Sequence, residues 1–362
     1  MPDSALPPDL LVRPAAESVR VIAHCYLDAA GAAMQRLDDP KDLEALHDVR
    51  VAIRRLRTTA RAYRQELRGS VRPKLRRRLR DIAEQTNRVR EAEVALDWLR
   101  PLKPDLTARE RIGLRWLARR LEERHAHGLE HARTDVRRSF QVVERKLRTG
   151  LGVYRQVMDA ARSIPAEPFA AVAGRVLRAQ AEELDRLLGI VRAPDDAETH
   201  LARVAAKRLR YLLEPLAHSL PAAAAVVLRL KELQDRLGEL HDTIELMHEV
   251  RAAAETAAAE RAAAMVEAAL TDQAGPEQLR AARRTADPRL GLIAVARRLR
   301  ARLTALFARL QATIRAHDRT WLGEIEAALA GPGPGAHPRV PVPVPPRERR
   351  ARQRRARRQR SI

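Results

Sequence analysis

Apolar residues recur at spacings of three and four along most of the chain, which is the pattern of amphipathic helices. This periodicity predicts four helical segments, over residues 15–37, 41–68, 73–99 and 107–162. It then starts again and predicts four more, over residues 169–192, 196–219, 222–272 and 289–330. Proline and glycine stand at the breaks, as at Pro40, Gly69 and Pro165. The pattern predicts an all-α fold in two sets of helices.

The two sets suggest a division of the chain into four parts. We expect a flexible lead over residues 1–14, a first helical half over 15–163 and a second helical half over 164–330. Residues 331–362 alternate Gly, Pro and Val and then become Arg-rich, with ten arginines against the single acid Glu348. A segment of this composition cannot bury a core, so we expect this tail to be disordered.

One basic run occurs twice and indicates an internal duplication. Residues 47–57 (HDVRVAIRRLR) align without gaps with residues 200–210 (HLARVAAKRLR), at an offset of 153 and with seven of eleven positions identical. A weaker match relates residues 79–91 to residues 230–242 at an offset of 151. Two matches at nearly the same offset favour duplication of a whole helical half.

Each copy of this run places a line of cations beside an apolar face. The basic positions step by three and four, one residue after the apolar ones, so they lie about 100° around the helix from the core-facing stripe. Four cations then cover about 15 Å of helix, an arrangement that suits a linear polyanion such as polyphosphate. A solvated arginine face is the alternative. The candidate ligand-binding residues are His47, Arg50, Arg54, Arg57, His200, Arg203, Lys207 and Arg210.

A second group of cations ranks after these eight. It comprises basic residues elsewhere on the repeated helices and residues on the third helix of each half, where they could face the same groove. These second-rank candidates are Arg55, Arg61, Arg76, Arg80, Arg90, Arg208, Lys231 and His241.

Composition strengthens the expectation of an anionic partner. The net charge is +22, and removing the tail's +9 leaves +13 on the helical part. Such a field attracts nucleic acid, anionic lipid or a phosphate polymer. The one cysteine, Cys25, excludes an internal disulfide, and neither a secretion signal nor a membrane-spanning stretch is evident. We expect a cytoplasmic protein that does not enter membranes.

At these residues the sequence resembles the CHAD family, the conserved histidine α-helical domain. The shared features are the His-x-x-Arg…Arg-Arg-Leu-Arg helix in each half and the run LKELQDRLGELHD at residues 230–242. The resemblance would cover residues 15–330. It implies two four-helix bundles related by a pseudo-twofold, with a basic central groove or channel that binds inorganic polyphosphate through the eight candidate residues. It also suggests association with polyphosphate granules.

The sequence departs from the family pattern in three places. His241 stands where asparagine is usual and Glu91 where aspartate is usual, and the 289–330 helices and the tail extend beyond a minimal domain.

Two other classes of function compete with this interpretation. A nucleic-acid-binding protein fits the charge, and the tail alone can bind nucleic acid nonspecifically. Aromatics, however, are only 3% of the chain, too few for a base-stacking platform. An enzyme is not expected, because the sequence has no phosphate-binding loop, nucleophile elbow or Cys-x-x-Cys pair and lacks the Glu-x-Glu-x-Lys strand of triphosphate-tunnel domains. We expect no cofactor. His127 with His131, or His241 with Glu245 and His248, has metal-compatible helical spacing, but solvated side chains are the more common outcome.

Overall fold

The computed structural model describes residues 6–39, 42, 44–160, 167–270, 287–316 and 320–330, and their regular structure is helical. This confirms the all-α prediction. The helices are α1 (Ala15–Arg36), α2 (Ala45–Ala62), α3 (Pro73–Gln85), α4 (Asn87–Leu99), α5 (Glu110–His131), α6 (Arg137–Ala160), α7 (Phe169–Ile190), α8 (Ala197–Leu213), α9 (Pro221–Leu270), α10 (Arg289–Ala316) and α11 (Trp321–Ala330).

The predicted helix boundaries differ from the observed ones where local chemistry interrupts the periodicity. Helix α2 ends at Ala62, and the chain then turns through Gly69, whose φ of 86° is in the left-handed region that favours glycine. The segment predicted as one helix over 73–99 is interrupted at Thr86, whose hydroxyl donates to the Ala83 carbonyl at 2.9 Å. Between α5 and α6 a single π-helical stretch, Ala132–Val136, widens an otherwise continuous helix.

A capping box formed by Thr107 and Glu110 starts α5. The Thr107 backbone amide donates to Glu110 Oε2 at 2.9 Å, and the Glu110 amide donates back to Thr107 Oγ1 at 3.3 Å. Two amide groups that the helix leaves unpaired are satisfied in this way.

Two hydrophobic cores hold the helices together. The larger core combines α1, α2, α3 and α6 with α7, α8, the first part of α9 and the last part of α10. The smaller core combines α4 and α5 with the second part of α9 and the first part of α10. Both cores contain residues from before and after residue 164, so the two predicted halves share their interiors. The division into duplicated halves stays a prediction.

Backbone hydrogen bonds join the starts of α1 and α7, on which the site helices α2 and α8 pack. The backbone amide of Ala15 donates to the Glu167 carbonyl and that of Phe169 donates to the Arg13 carbonyl, each at 2.9 Å. Helices α1 and α7 therefore start side by side, and α2 and α8, which pack on them, also contact each other. The compact unit extends to Leu329, and the predicted tail over 331–362 lies outside the described residues.

Candidate functional site

A cavity of about 1060 Å³ opens between α2, α3, α7 and α8, and cationic side chains dominate its lining. Eleven arginine and lysine residues line it against one carboxylate, that of Glu66. The cations are Arg54, Arg57, Arg61, Arg64, Arg76, Arg77, Arg80, Arg175, Arg203, Lys207 and Arg208. A concave site with this excess of one charge is suited to a multiply charged anion.

The amphipathic pattern of α2 and α8 explains how these cations reach the cavity. On α2 the apolar stripe is buried, with Val49 and Ile53 0% exposed and Leu56 1% exposed. On α8, Ala206 and Leu209 are likewise 0% exposed. Because the basic residues lie one position after these anchors, their side chains leave the core at its edge and project between the helices.

Most of the lining cations have no acidic partner to neutralise them. Arg80 lies near Asp81 and Glu84, at 3.4 and 3.6 Å, and Arg175 pairs with Glu167. Among the described residues, the other lining cations form no salt bridge within 4.0 Å. Their charge therefore remains available to a ligand.

Crowding and partial dehydration of these cations perturb their protonation. Burial, followed by the neighbouring charges of Arg203 and Arg54, lowers the pKa of Lys207 from 10.5 to about 7. Burial also lowers the pKa of Arg57 and of Arg203. The buried Nε of Arg203 has no hydrogen-bond partner in the described part of the chain. A bound anion would relieve the repulsion and satisfy this donor.

Four of the eight first-rank candidates line the cavity: Arg54, Arg57, Arg203 and Lys207. Arg50 is instead 6% exposed, and its guanidinium donates to the Thr86 carbonyl and, at 3.1 Å, to Asn87 Oδ1. It holds the junction between α3 and α4. We therefore leave Arg50 out of the proposed site, because its guanidinium already donates hydrogen bonds within the protein.

The other three first-rank candidates lie away from the cavity lining. His47 is half-buried in the first turn of α2. His200 is exposed at the start of α8, with its ring centroid 5.6 Å from that of His241. Arg210 lies 3.5 Å from Glu214 and stacks over Tyr211, 5.0 Å from the ring centroid.

The second-rank candidates divide in the same way. Arg61, Arg76, Arg80 and Arg208 line the cavity. The remaining four do not: Arg55 pairs with Glu214 at 2.6 Å, Arg90 pairs with Glu93 at 3.2 Å, Lys231 is exposed on α9, and His241 lies beside His200.

Sequence reasoning did not select three of the lining cations. Arg64 lies one step beyond Arg61 on the same basic stripe, so the spacing identifies it although the candidate list ends at Arg61. Arg77 adjoins the second-rank candidate Arg76. Arg175 lies on α7, outside both repeated runs, and only the packing of α7 against α8 brings it to the cavity.

Neither a metal site nor a membrane-spanning helix is found in the residues that the structure describes. Over these ranges, no group of three or more His, Cys, Asp and Glu side chains is placed to hold a metal ion. None of the described helices is both long enough and apolar enough to cross a membrane.

Comparison with known proteins identifies relatives of the fold. The family model described as "CHAD domain" matches residues 25–251. A solved structure, the crystal structure of the CHAD domain from the plant Ricinus communis, is similar with a TM-score of 0.58 and 19% sequence identity. The match covers 85% of this chain and 94% of that one, and at this identity it establishes a shared fold. No curated protein matches the sequence.

Proposed function

The chain belongs to the CHAD domain family, and on that premise we propose that its arginine-lined cavity binds inorganic polyphosphate. The single observation that carries the proposal is the cavity lining of eleven cations against one carboxylate. Arginine matches phosphate oxygens with a planar fork of donors, and ten of the eleven lining cations are arginine. The proposed ligand-binding set is the group that lines the cavity, centred on Arg54 and Lys207.

The shape of the cavity favours a slender polyanion over nucleic acid. At about 1060 Å³ it has the size of a small-molecule pocket and cannot admit a duplex, whose width exceeds that of a gap between neighbouring helices. Its single aromatic lining residue, Tyr211, is 5% exposed and offers little ring surface for stacking bases. Phosphate chains need neither a wide groove nor a stacking platform.

Charge reversal tests the site directly. In the variants Arg54→Glu and Lys207→Glu, and in the double variant, we expect polyphosphate retention in a gel shift to be lost while helical content by circular dichroism is unchanged. Arg119→Glu is the matched control, because Arg119 is 81% exposed on α5 and lies outside the cavity lining. Unchanged retention in the double variant would contradict the site assignment.

Competition distinguishes polyphosphate from nucleic acid, the alternative ligand. Labelled polyphosphate is displaced with unlabelled polyphosphate or duplex DNA, on the full chain and on a chain ending at Ala330. We expect DNA to compete poorly on the shortened chain, because the cavity is retained and the Arg-rich tail is gone. Equal displacement by DNA there would favour the nucleic-acid function.

We further propose that the protein binds without catalysing a reaction and that it associates with polyphosphate granules in the cytoplasm. In the described residues, the cavity lining contains cations, aliphatic side chains, amides, the Thr58 hydroxyl and the Tyr211 phenol, with Glu66 as its one carboxylate. This composition suits retention of a phosphate chain rather than its hydrolysis. Incubation with polyphosphate and measurement of released phosphate tests the first point, and imaging of a fluorescent fusion tests the second.

A further inference from the structure

The two copies of the basic run differ in charge at one position of their continuation. Extending the ungapped alignment by four residues pairs Arg61 with Glu214. The residues around them keep their charge, because Arg55 corresponds to Arg208 and Arg57 to Arg210. A single exchange of arginine for glutamate thus distinguishes two sets of cations. The first set is Arg57 and Arg208 around Arg61, and the second set is Arg55 and Arg210 around Glu214.

Glu214 lies between Arg55, from the first copy, and Arg210, from the second. Its side chain is 10% exposed, and its carboxylate lies 2.6 Å from Arg55 Nε and 3.5 Å from Arg210 Nη1. Both arginines also approach the Tyr211 ring, with centroid distances of 5.9 and 5.0 Å. Burial lowers the pKa of the Arg55 guanidinium, but the adjacent Glu214 carboxylate raises it above its ordinary value overall.

Around Arg61, the corresponding arginines, Arg57 of the first copy and Arg208 of the second, have no such carboxylate. Arg57, Arg61 and Arg208 all line the cavity and form no salt bridge in the described part of the chain. Burial lowers the pKa of Arg208, and the charge of Arg61 lowers it further. Equivalent pairs of positions therefore interact with opposite sign. Arg55 attracts Glu214, whereas Arg208 and Arg61 repel each other.

We propose that Glu214 is an internal substitute for a ligand phosphate, which neutralises the second set of cations and restricts the chain to one polyanion site. The inference rests on the proposed function, because it assumes that the first set binds phosphate. A carboxylate and a phosphate oxygen present the same acceptor to arginine, so Glu214 gives Arg55 a hydrogen bond, and Arg210 an ion pair, of the kind that a phosphate would otherwise supply. Only the set that contains Arg61 remains open to solvent anions.

Counting bound ligands tests this role of Glu214. Tripolyphosphate is the probe, because a short anion engages fewer cations than a long chain does, and titration calorimetry gives the stoichiometry. We expect about one ligand per wild-type chain and about two per chain in Glu214→Gln, which frees Arg55 and Arg210 while nearly preserving side-chain shape. Glu123→Gln is the matched control. It makes the same charge change at an exposed residue of α5 whose ion-pair partner, among the described residues, is Arg119, and we expect this variant to keep one site.

The reciprocal change tests the same idea if Glu214→Gln fails to fold, as judged by circular dichroism. Arg61→Glu places a carboxylate beside Arg208 as Glu214 is placed beside Arg55, whereas Arg61→Ala only removes one cation. We expect Arg61→Glu to bind tripolyphosphate at least about tenfold more weakly than Arg61→Ala, because the new carboxylate competes with ligand for Arg208.

The outcomes separate the inference from the function on which it rests. If the wild-type chain binds neither tripolyphosphate nor polyphosphate, the proposed function is wrong and the role of Glu214 falls with it. If the wild-type chain binds one ligand and folded Glu214→Gln also binds one, the role of Glu214 alone is overturned. Equal affinities of Arg61→Glu and Arg61→Ala would overturn it as well.

Discussion

Uptake of a proton by Lys207 should accompany polyphosphate binding at mildly alkaline pH. In the ligand-free protein, burial and the charges of Arg203 and Arg54 lower the pKa of this ammonium group to about 7. A phosphate chain in the cavity brings negative charge to the same place and favours the protonated form. We therefore expect the bound state to restore the pKa toward the ordinary value of 10.5.

The size of the effect follows from the two pKa values. With a pKa of about 7, roughly one tenth of the Lys207 side chains carry a proton at pH 8, and nearly all would carry one in the complex. Lys207 should thus take up about 0.9 protons on binding at pH 8 and only about 0.1 at pH 6. His200 and His241 contribute little at pH 8, because even their ordinary pKa of 6.5 leaves them neutral there.

Calorimetry in two buffers with different ionisation enthalpies measures this uptake, since the observed enthalpy changes by one buffer ionisation enthalpy per proton. Lys207→Arg is the matched control, because arginine keeps the charge and stays protonated at pH 8. Proton uptake by this variant should fall to near zero, while its affinity for polyphosphate is retained. Equal proton uptake by the wild type and by Lys207→Arg would refute the assignment of the proton to Lys207.

The same shift has a consequence for the stability of the ligand-free protein. Because the pKa of Lys207 is lower in the folded than in the unfolded chain, the unfolded chain binds more protons between about pH 7 and 10.5. The contribution of this group to the free energy of unfolding therefore rises with pH across that window. Thermal unfolding of the wild type and of Lys207→Met at several pH values would detect the difference.

Four further predictions concern stability and salt. Gly113→Ala should lower the free energy of unfolding by about 1–3 kcal/mol, because the added Cβ would meet the Pro288 carbonyl oxygen and, at 2.7 Å, the Gly291 Cα. Gly152→Ala should raise the free energy of unfolding by about 0.5–1 kcal/mol, because a Cβ there would have no atom within 4 Å and alanine favours the helix. Equal changes in the two variants, measured by urea titration, would contradict this packing. Arg50→Ala should cost about 2 kcal/mol in the same assay, and a large loss of polyphosphate affinity in the folded variant would return Arg50 to the binding set. If polyphosphate behaves as a single-stranded polyanion, Arg57→Gln should reduce the slope of log affinity against log salt by about 0.7, measured by titration at several ionic strengths.

The sequence by itself determined the helical class and the central part of the site. Helix periodicity depends on residues three and four apart, so it can be read without knowledge of tertiary contacts. The step of one residue between Ile53 and Arg54 likewise fixes the angle between core and cation, and the structure places Arg54 at the cavity as that angle requires.

Only the tertiary structure decided which of several equivalent cations are available. Arg50 and Arg54 occupy the same stripe, yet the break between α3 and α4 supplies two acceptors to Arg50, the Thr86 carbonyl and Asn87 Oδ1. Arg57 and Arg210 occupy the same position in the repeated run, yet Glu214 lies beside one of them only. Arg175 reaches the cavity from a helix that no motif marks. The physical reason is that a cation's availability depends on partners distant in sequence, and packing alone brings those partners within a few ångströms.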